Sequence, residues 1–461
     1  MSFEEHRTSS RVSRGAALAR LSASTSANYL VSRLRSMTDD DDADLRFHAA
    51  TAGKMLELLG SMKGAAMKIG QLASFVDLDL PPEAQATYHE VLADLRDSAP
   101  PADPQAIREV ITEQFGAAPE EVFATWHDTP LASASIGQVH RAQLHDGTDV
   151  VAKVQYPGVA EAIQSDLANA ELFTPMARMI SPNLRIRPLM DELRDRMVDE
   201  IDYQREAQYQ AAFHERYDGH PFIAVPRVHA ELCRPRIIVS DYVDGATFDA
   251  MALAGTEDDR QRYGEIMYRF VYGSLHRFRL FNGDPHPGNY LFPADGRVVF
   301  LDFGSVKLFT SATRDAIRAQ LHAVRSGDVI TLMDLIGEAG FLNGSAPSTQ
   351  DAGKLMAWFR MFNRPILADE EWAYTPEFAR EVIRSTTDPR AGYLDLLRQL
   401  NLPPDYLLLN RIQWGVNSIL GRLRATANWY RISDEFLADG PPSTELGALE
   451  APFIAASPFR A

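Results

Sequence analysis

Residues 281–289, Phe281-Asn282-Gly283-Asp284-Pro285-His286-Pro287-Gly288-Asn289, decide how this chain is read. Helices tolerate almost none of this mixture of acid, histidine, prolines, glycine and amide, because each proline lacks an N–H and obstructs the preceding turn. The segment is a loop with a stiffened backbone. Asp284 and Asn289 stand five apart on it, a carboxylate and an amide oxygen held before any ligand arrives.

The neighbouring sequence gives that loop a context. Downstream, residues 297–306 (RVVFLDFGSV) form an apolar strand running into Asp302-Phe303-Gly304. Upstream, residues 132–158 (ASASIGQVHRAQLHDGTDVVAKVQYPG) hold strand-like runs around Val139 to Leu144 and Val150 to Val154, joined across Asp146-Gly147, a strong hairpin signal. Lys153 falls on the second strand. Ala132, Ser133, Ala134, Ser135, Ile136 and Gly137 lead into the first, where small side chains let the backbone approach another group. A helix over residues 193–217 carries Glu200, Asp202 and Glu206, with Asp202 and Glu206 one turn apart. Taken alone, these acids read as a solvated face. A strand over RIIVSDYVDGATFD ends near Asp241, Tyr242 and Val243, followed by a glycine turn.

Each piece has a plain alternative: many hairpins end in lysine, Asp-Phe-Gly occurs by chance, and Asp284 could cap a turn. Their order is the informative feature. Hairpin, strand lysine, helical acid, hinge, Asp-x4-Asn and Asp-Phe-Gly follow one another as in a protein-kinase-like fold. That arrangement predicts an α+β, two-lobed chain in which Lys153 pairs with ATP phosphates and Asp241–Val243 offer backbone groups to the adenine. Asp284 orients the nucleophile, and Asn289 and Asp302 present hard oxygens to Mg²⁺. Ala and Ser stand where such folds usually place the phosphate-covering glycines.

Composition sets the bounds. A chain of 461 residues, 45% hydrophobic and 24% charged, can bury a large core. A net charge of -17 argues against nucleic acid as the main partner. Cys233 is the sole cysteine, which excludes an intramolecular disulfide and reads as a buried small residue without chemistry. No apolar run is long enough to span a bilayer, so the expected location is cytoplasmic, with peripheral membrane attachment open. Residues 1–45 are Arg- and Ser-rich and then acidic; a solvated tail, an organellar transit-type segment and a basic helix on an anionic membrane are all compatible with them. Helical periodicity starts beyond, with Leu56, Leu59, Met62, Ala66, Ile69 and Leu72 on one stripe and Lys68 and Gln71 beside it.

Lys68-Ile-Gly-Gln71, residues 132–142, Glu200-Ile-Asp202-Tyr-Gln-Arg-Glu206-Ala, Asp284-Pro-His-Pro-Gly-Asn289 and Leu301-Asp302-Phe-Gly-Ser-Val306 together resemble the signature set of the UbiB family of atypical kinases, also called AarF or ADCK proteins. The resemblance spans about residue 50 to beyond 310. It implies ATPase activity connected with ubiquinone or other isoprenoid lipid metabolism, with protein kinase activity doubtful in the family. It also implies that Lys68 and Gln71 belong to a helix folded over the site, that Lys68 meets Glu200 and Asp202, and that Glu206 partners Lys153. Two positions depart from the pattern: Asn282 stands where relatives usually have His, and Tyr209 where many have Asn. The first is expected to loosen the catalytic loop.

The expected organisation is a flexible segment over 1–45, a helical extension over 46–125, a kinase-like N-lobe with a helical insertion over 126–245, a helical C-lobe over 246–435 and a poorly packed tail over 436–461. The apolar stripe within residues 405–430 is read as lobe core. The expected function is that of a Mg-ATP-binding ATPase acting on isoprenoid or quinone lipid handling at a membrane surface. A phosphotransferase acting on a small molecule or protein, and a nucleotide-gated binding module without turnover, are the alternatives.

Overall fold

The computed structural model describes residues 102–134, 136–161, 163, 201–283, 285–342, 348–387, 392–393, 396, 400–401 and 403–459. Segment 1–45, most of the helical extension, and Lys68, Gln71, Ser135, Glu200 and Asp284 lie outside the described residues. Two compact units divide the chain: Met1–Glu113, Asp128–His140 and Lys153–Ile201 form one, and Gln114–His127, Arg141–Ala152 and Asp202–Ala461 the other.

Helix α1 (Pro104–Phe115) begins on proline, whose fixed φ suits a first turn, and buries Ile107, Val110 and Ile111 at helical spacing. A single turn, α2 (Pro119–Val122), precedes β1 (Thr125–Trp126), β2 (Ala132–Ser133), β3 (Gly137–Gln143) and β4 (Asp149–Gln155). Helix α3 (Tyr203–Tyr217) follows, then β5 (Ile223–Ala224) and β6 (Ile237–Asp241). Strands β1, β3, β4 and β6 are hydrogen-bonded in that order, with β2 on β3.

The hairpin forms where Asp146-Gly147 called for it. Gly147 has φ +90, a conformation open to glycine, and its N–H donates to Leu144 O at 2.9 Å. Asp146 Oδ1 accepts from Thr148 N–H at 2.9 Å, which lowers the carboxyl pKa. Along β4, Val150, Ala152 and Val154 are buried while Val151 and Lys153 are half-exposed, so alternation puts Lys153 on the open face.

In the second unit the chain continues through β7 (Ala246–Thr247), α4 (Phe248–Ala254), α5 (Glu257–Tyr268) and a π-helical segment, Arg269–Phe278. Four short strands come next: β8 (Leu280–Asn282), β9 (Tyr290–Phe292), β10 (Val298–Phe300) and β11 (Val306–Leu308). Strand β10 pairs parallel with β5 and antiparallel with β9, and β8 pairs antiparallel with β11. Beyond them stand α6 (Ser311–Ser326), α7 (Val329–Glu338), α8 (Thr349–Phe362), β12 (Trp372–Ala373), α9 (Pro376–Thr387) and α10 (Pro404–Leu423). Ile412, Val416, Ile419, Leu420 and Leu423 of α10 are buried, as its apolar stripe predicts.

The C-terminal residues depart from expectation. After β13 (Thr426–Ala427) and α11 (Trp429–Leu437), residues Glu445–Ala456 form α12, capped by Thr444 and burying Leu446, Gly447, Glu450 and Ile454. The region read as poorly packed is anchored. Arg269, with no exposed side-chain surface, reaches Glu265 at 2.7 Å, Glu435 at 2.8 Å and Glu450 at 2.9 Å. Glu450 also meets Arg277 at 2.8 Å and His220 at 3.4 Å. His220 Nδ1 accepts the N–H groups of Phe222 and Ile223, so its proton sits on Nε2, facing the carboxylate. Composition could not reveal this, because Glu435 and Glu450 lie 166 and 181 residues from Arg269, and Glu450 lies 230 from His220.

Candidate functional site

Two loops carry the site, and paired strands fix both. Residues 283–289 join β8 to β9, and residues 301–305 join β10 to β11. Phe300 lies opposite Tyr290 and Val306 opposite Asn282, so the loops start and finish in register. Leu301 N–H donates to Asn289 O at 3.0 Å at one end, and Gly283 N–H to Ser305 O at 2.5 Å at the other. Asn289 and Asp302 are thereby brought onto adjoining arms. Asp284 lies outside the described residues.

Asn282 is part of this frame. It is 9% exposed, and its Nδ2 donates to the carbonyl oxygen of Asp302 at 2.8 Å. The amide ties the last strand residue before one loop to the acid of the other. Asn282→Leu keeps the approximate volume but leaves the Asp302 carbonyl without that donor, at a cost of about 1–3 kcal/mol. The thermal midpoint should fall by about 1–3 °C, measured by calorimetry.

His286 Nδ1 accepts from Gly288 N–H at 3.1 Å and shapes the turn from within. Pro285 presses on α10. A Cβ on Gly415 would stand 2.3 Å from Pro285 Cγ, so only glycine lets helix and loop approach this closely.

Asp302 Oδ1 accepts from Gly304 N–H at 2.9 Å. A Cβ on Gly304 would lie 3.4 Å from Asp302 Oδ1 and 3.6 Å from Glu206 Oε2, so both carboxylates border one methyl-sized space. Glu206 is 4% exposed and stands on the first turn of α3. Two acids converging in a partly dehydrated place repel unless a cation lies between or beside them. With the Asn289 amide on the adjoining arm, the donor set consists of hard oxygens, which fits magnesium.

The phenylalanine of Asp302-Phe303-Gly304 ties this corner to α3. Phe303 is fully buried, with its ring 4.9 Å from Phe213, two turns beyond Glu206; Phe213 lies 5.5 Å from Phe270 of the π-helical segment. The position of α3 and that of the acidic loop are set together.

Asp202, expected on the helix beside Glu206, is instead the N-cap of α3: its carboxylate accepts from Arg205 N–H at 3.0 Å. Aspartate competes for the backbone in this way, which favours it at helix starts. Tyr209 is half-buried against the core, with the Arg205 guanidinium 5.8 Å above its ring.

At the expected hinge, the sheet already uses two of three N–H groups. Asp241 N–H donates to Arg227 O and Tyr242 N–H to Asp149 O, so both are engaged within the protein. Arg141 lies 4.2 Å over the Tyr242 ring, and His229 Nε2 meets Asp241 Oδ1 at 2.8 Å. In the other unit, Ala132 and Ser133 pair with Val139 and Gln138, and Ala134 N–H closes onto Gly137 O at 2.8 Å. Ile136 and Gly137 are buried there while Ala132 and Ser133 are exposed.

A strand lysine, a helical acid and two interlocked loops with Asp-x4-Asn and Asp-Phe-Gly define a protein of the kinase-like class. Residues 94–335 match the family described as "ABC1 atypical kinase-like domain", and the chain belongs to that family. It is 32% identical over 297 residues to the atypical kinase COQ8B, mitochondrial, of Rattus norvegicus, covering 64% of this chain and 55% of that one. Similarity to "Probable protein kinase UbiB" of Azotobacter vinelandii is 32% over 308 residues, covering 65% and 56%. The chain spans about half the length of these curated relatives. The solved complex of Rv3197 with erythromycin, from Mycobacterium tuberculosis, matches with a TM-score of 0.61 at 29% identity, covering 85% of this chain and 96% of that one. Among the described residues, no helix is long and apolar enough to cross a membrane.

Proposed function

We propose that this chain is a Mg-ATP-dependent ATPase of the atypical kinase type that supports isoprenoid quinone, or related lipid, metabolism at a membrane surface. The observation that carries the reading is the convergence of Asp302 and Glu206 on Gly304, beside an arm bearing Asn289. Lys153 binds the nucleotide phosphates and Glu206 orients its ammonium. Asp302 and Asn289 are the oxygen ligands for magnesium, which when bound with ATP neutralises phosphate charge. Asp284 orients the attacking water: oxygen bonds to the terminal phosphorus, the bond to the bridging oxygen breaks, and ADP and phosphate leave. Val243 N–H, with Asp241 and Tyr242 beside it, receives the adenine, and the loop from Ala132 to Gly137 covers the phosphates. Lys68, Gln71, Glu200 and Asp202 gate access, in line with the resemblance to the UbiB family.

A second reading is a nucleotide-gated module that binds an apolar ligand without turnover. The erythromycin complex of the structural relative favours it. Phosphate release from Mg-ATP, with and without anionic vesicles and a soluble quinone-headgroup analogue, separates the two. Stimulated release is expected. Nucleotide-induced stabilisation with no release under any condition would move the assignment to the binding module.

A further inference from the structure

We infer that a phosphate-class oxyanion binds where the end of α3 and the end of the π-helical segment meet the first half of α6, held by Arg216, Arg279, Arg314 and Arg318 around His276. The three elements are joined by direct bonds. Tyr217 OH meets Ser274 Oγ at 2.7 Å, Arg318 Nη2 donates to His276 O at 3.0 Å, and Arg279 Nη1 donates to Ser311 Oγ at 3.0 Å. On α6, Ser311, Arg314 and Arg318 are spaced three and four apart, so they share one face, directed at that junction.

The charges gathered here are met by neutral groups: Arg216 Nη1 donates to Ala212 O at 2.8 Å with its guanidinium 4.7 Å from the Phe459 ring centre, and Arg318 Nη2 also donates to Phe436 O at 2.7 Å. Among the described residues, no carboxylate stands at ion-pair distance from Arg216, Arg279 or Arg318, and Arg314 meets only its chain neighbour Asp315, whose side chain is 59% exposed. Glu215, Asp315 and Asp439 are the acids whose fields reach Arg216 and Arg318. Arg216 Nε, Arg279 Nε, Arg314 Nη1, Arg318 Nε and His276 Nδ1 are all buried without a hydrogen-bond partner, although each arginine keeps some exposed surface, 11% of the side chain for Arg314. Unpaired buried donors are costly and therefore uncommon. His276 is 3% exposed; burial first, then the charges of Arg318, Arg314 and Arg277, push its pKa down to about 3, so its ring stays neutral.

In a chain of net charge -17, this local excess of guanidinium groups is distinctive. Guanidinium forks match tetrahedral oxyanions bidentately. Arg279, in the left-handed region at φ 57, directly precedes β8, whose far end enters the loop at 283–289. The phosphate could be a free ion or a lipid headgroup, and the chemistry of capture is the same.

Thermal unfolding of the full chain in inorganic phosphate against chloride at matched ionic strength tests the free ion. Co-sedimentation with phosphatidylglycerol-containing against pure phosphatidylcholine vesicles tests the headgroup. Arg314→Gln and Arg279→Gln should each weaken the phosphate-induced rise in midpoint at least about tenfold in apparent affinity, while the nucleotide-induced rise is kept. Phosphatidylglycerol-dependent sedimentation lost in the same variants identifies a headgroup; a phosphate response without vesicle binding identifies a free anion. No response of the wild-type chain to either probe, or responses undiminished in both variants, would overturn the inference.

Discussion

Asp302→Asn is expected to abolish ATP turnover while leaving the fold intact. The carboxylate uses one oxygen to accept Gly304 N–H, and an asparagine oxygen can do the same, so the local turn survives. The substitution removes negative charge where a divalent cation would be held. Electrostatic groups of this kind contribute about 100-fold or more to turnover, roughly 2.7 kcal/mol. Phosphate release should fall by at least that factor, and the thermal midpoint should move by about a degree or less. Turnover within a few-fold of wild type would remove Asp302 from the proposed site.

Arg269→Met should produce the largest loss of stability. Arg269 is fully buried and satisfies Glu265, Glu435 and Glu450, while Thr444 accepts from its Nη2 at 2.9 Å. Methionine fills much of the space but removes the guanidinium shared by three carboxylates, leaving Glu450 to Arg277 and His220 and Glu435 to Ser443, and breaking a buried pair from one side costs about 3–5 kcal/mol. Calorimetry should show a fall of about 5 °C in midpoint. A shift of a degree or two would mean that α12 is not held by this network.

The same network sets an acid sensitivity. Desolvation alone would raise the Glu450 pKa, but the His220 hydrogen bond and the charges of Arg277 and Arg269 outweigh it and take the carboxyl from 4.5 to about 2. A carboxyl with a lowered folded pKa contributes stability that is fully present above its unfolded pKa and is lost as pH falls through the folded value. Unfolding midpoints should therefore drop between about pH 4.5 and pH 2, and Glu450→Gln should flatten that dependence.

What the sequence disclosed follows from how local each signal is. The Asp146-Gly147 turn and the alternation through Lys153 are set within a few residues, so the hairpin was legible. Asp-x4-Asn and Asp-Phe-Gly were legible as motifs, but their closeness depends on the β8–β11 and β9–β10 registers, which spacing alone does not contain. For the same reason Asn282 looked like a defect: its partner, the Asp302 carbonyl, is twenty residues away. Asp202 was misplaced on the helix because periodicity does not distinguish an N-cap from a first turn. The tail was misjudged because Glu450 finds its partners 230 and 181 residues back, at His220 and Arg269, beyond any compositional reading. The arginines at 216, 279, 314 and 318 were overlooked because they come from three elements, and each alone resembles a surface charge.

Calorimetric titration of ATP into the purified full chain, with magnesium and then with the metal chelated, tests the central claim most directly. Saturable binding that requires magnesium and is lost in Asp302→Asn is the predicted result. No binding, or binding that is equal with and without magnesium and unchanged in the variant, would contradict the placing of Mg-ATP at the loops that carry Asn289 and Asp302.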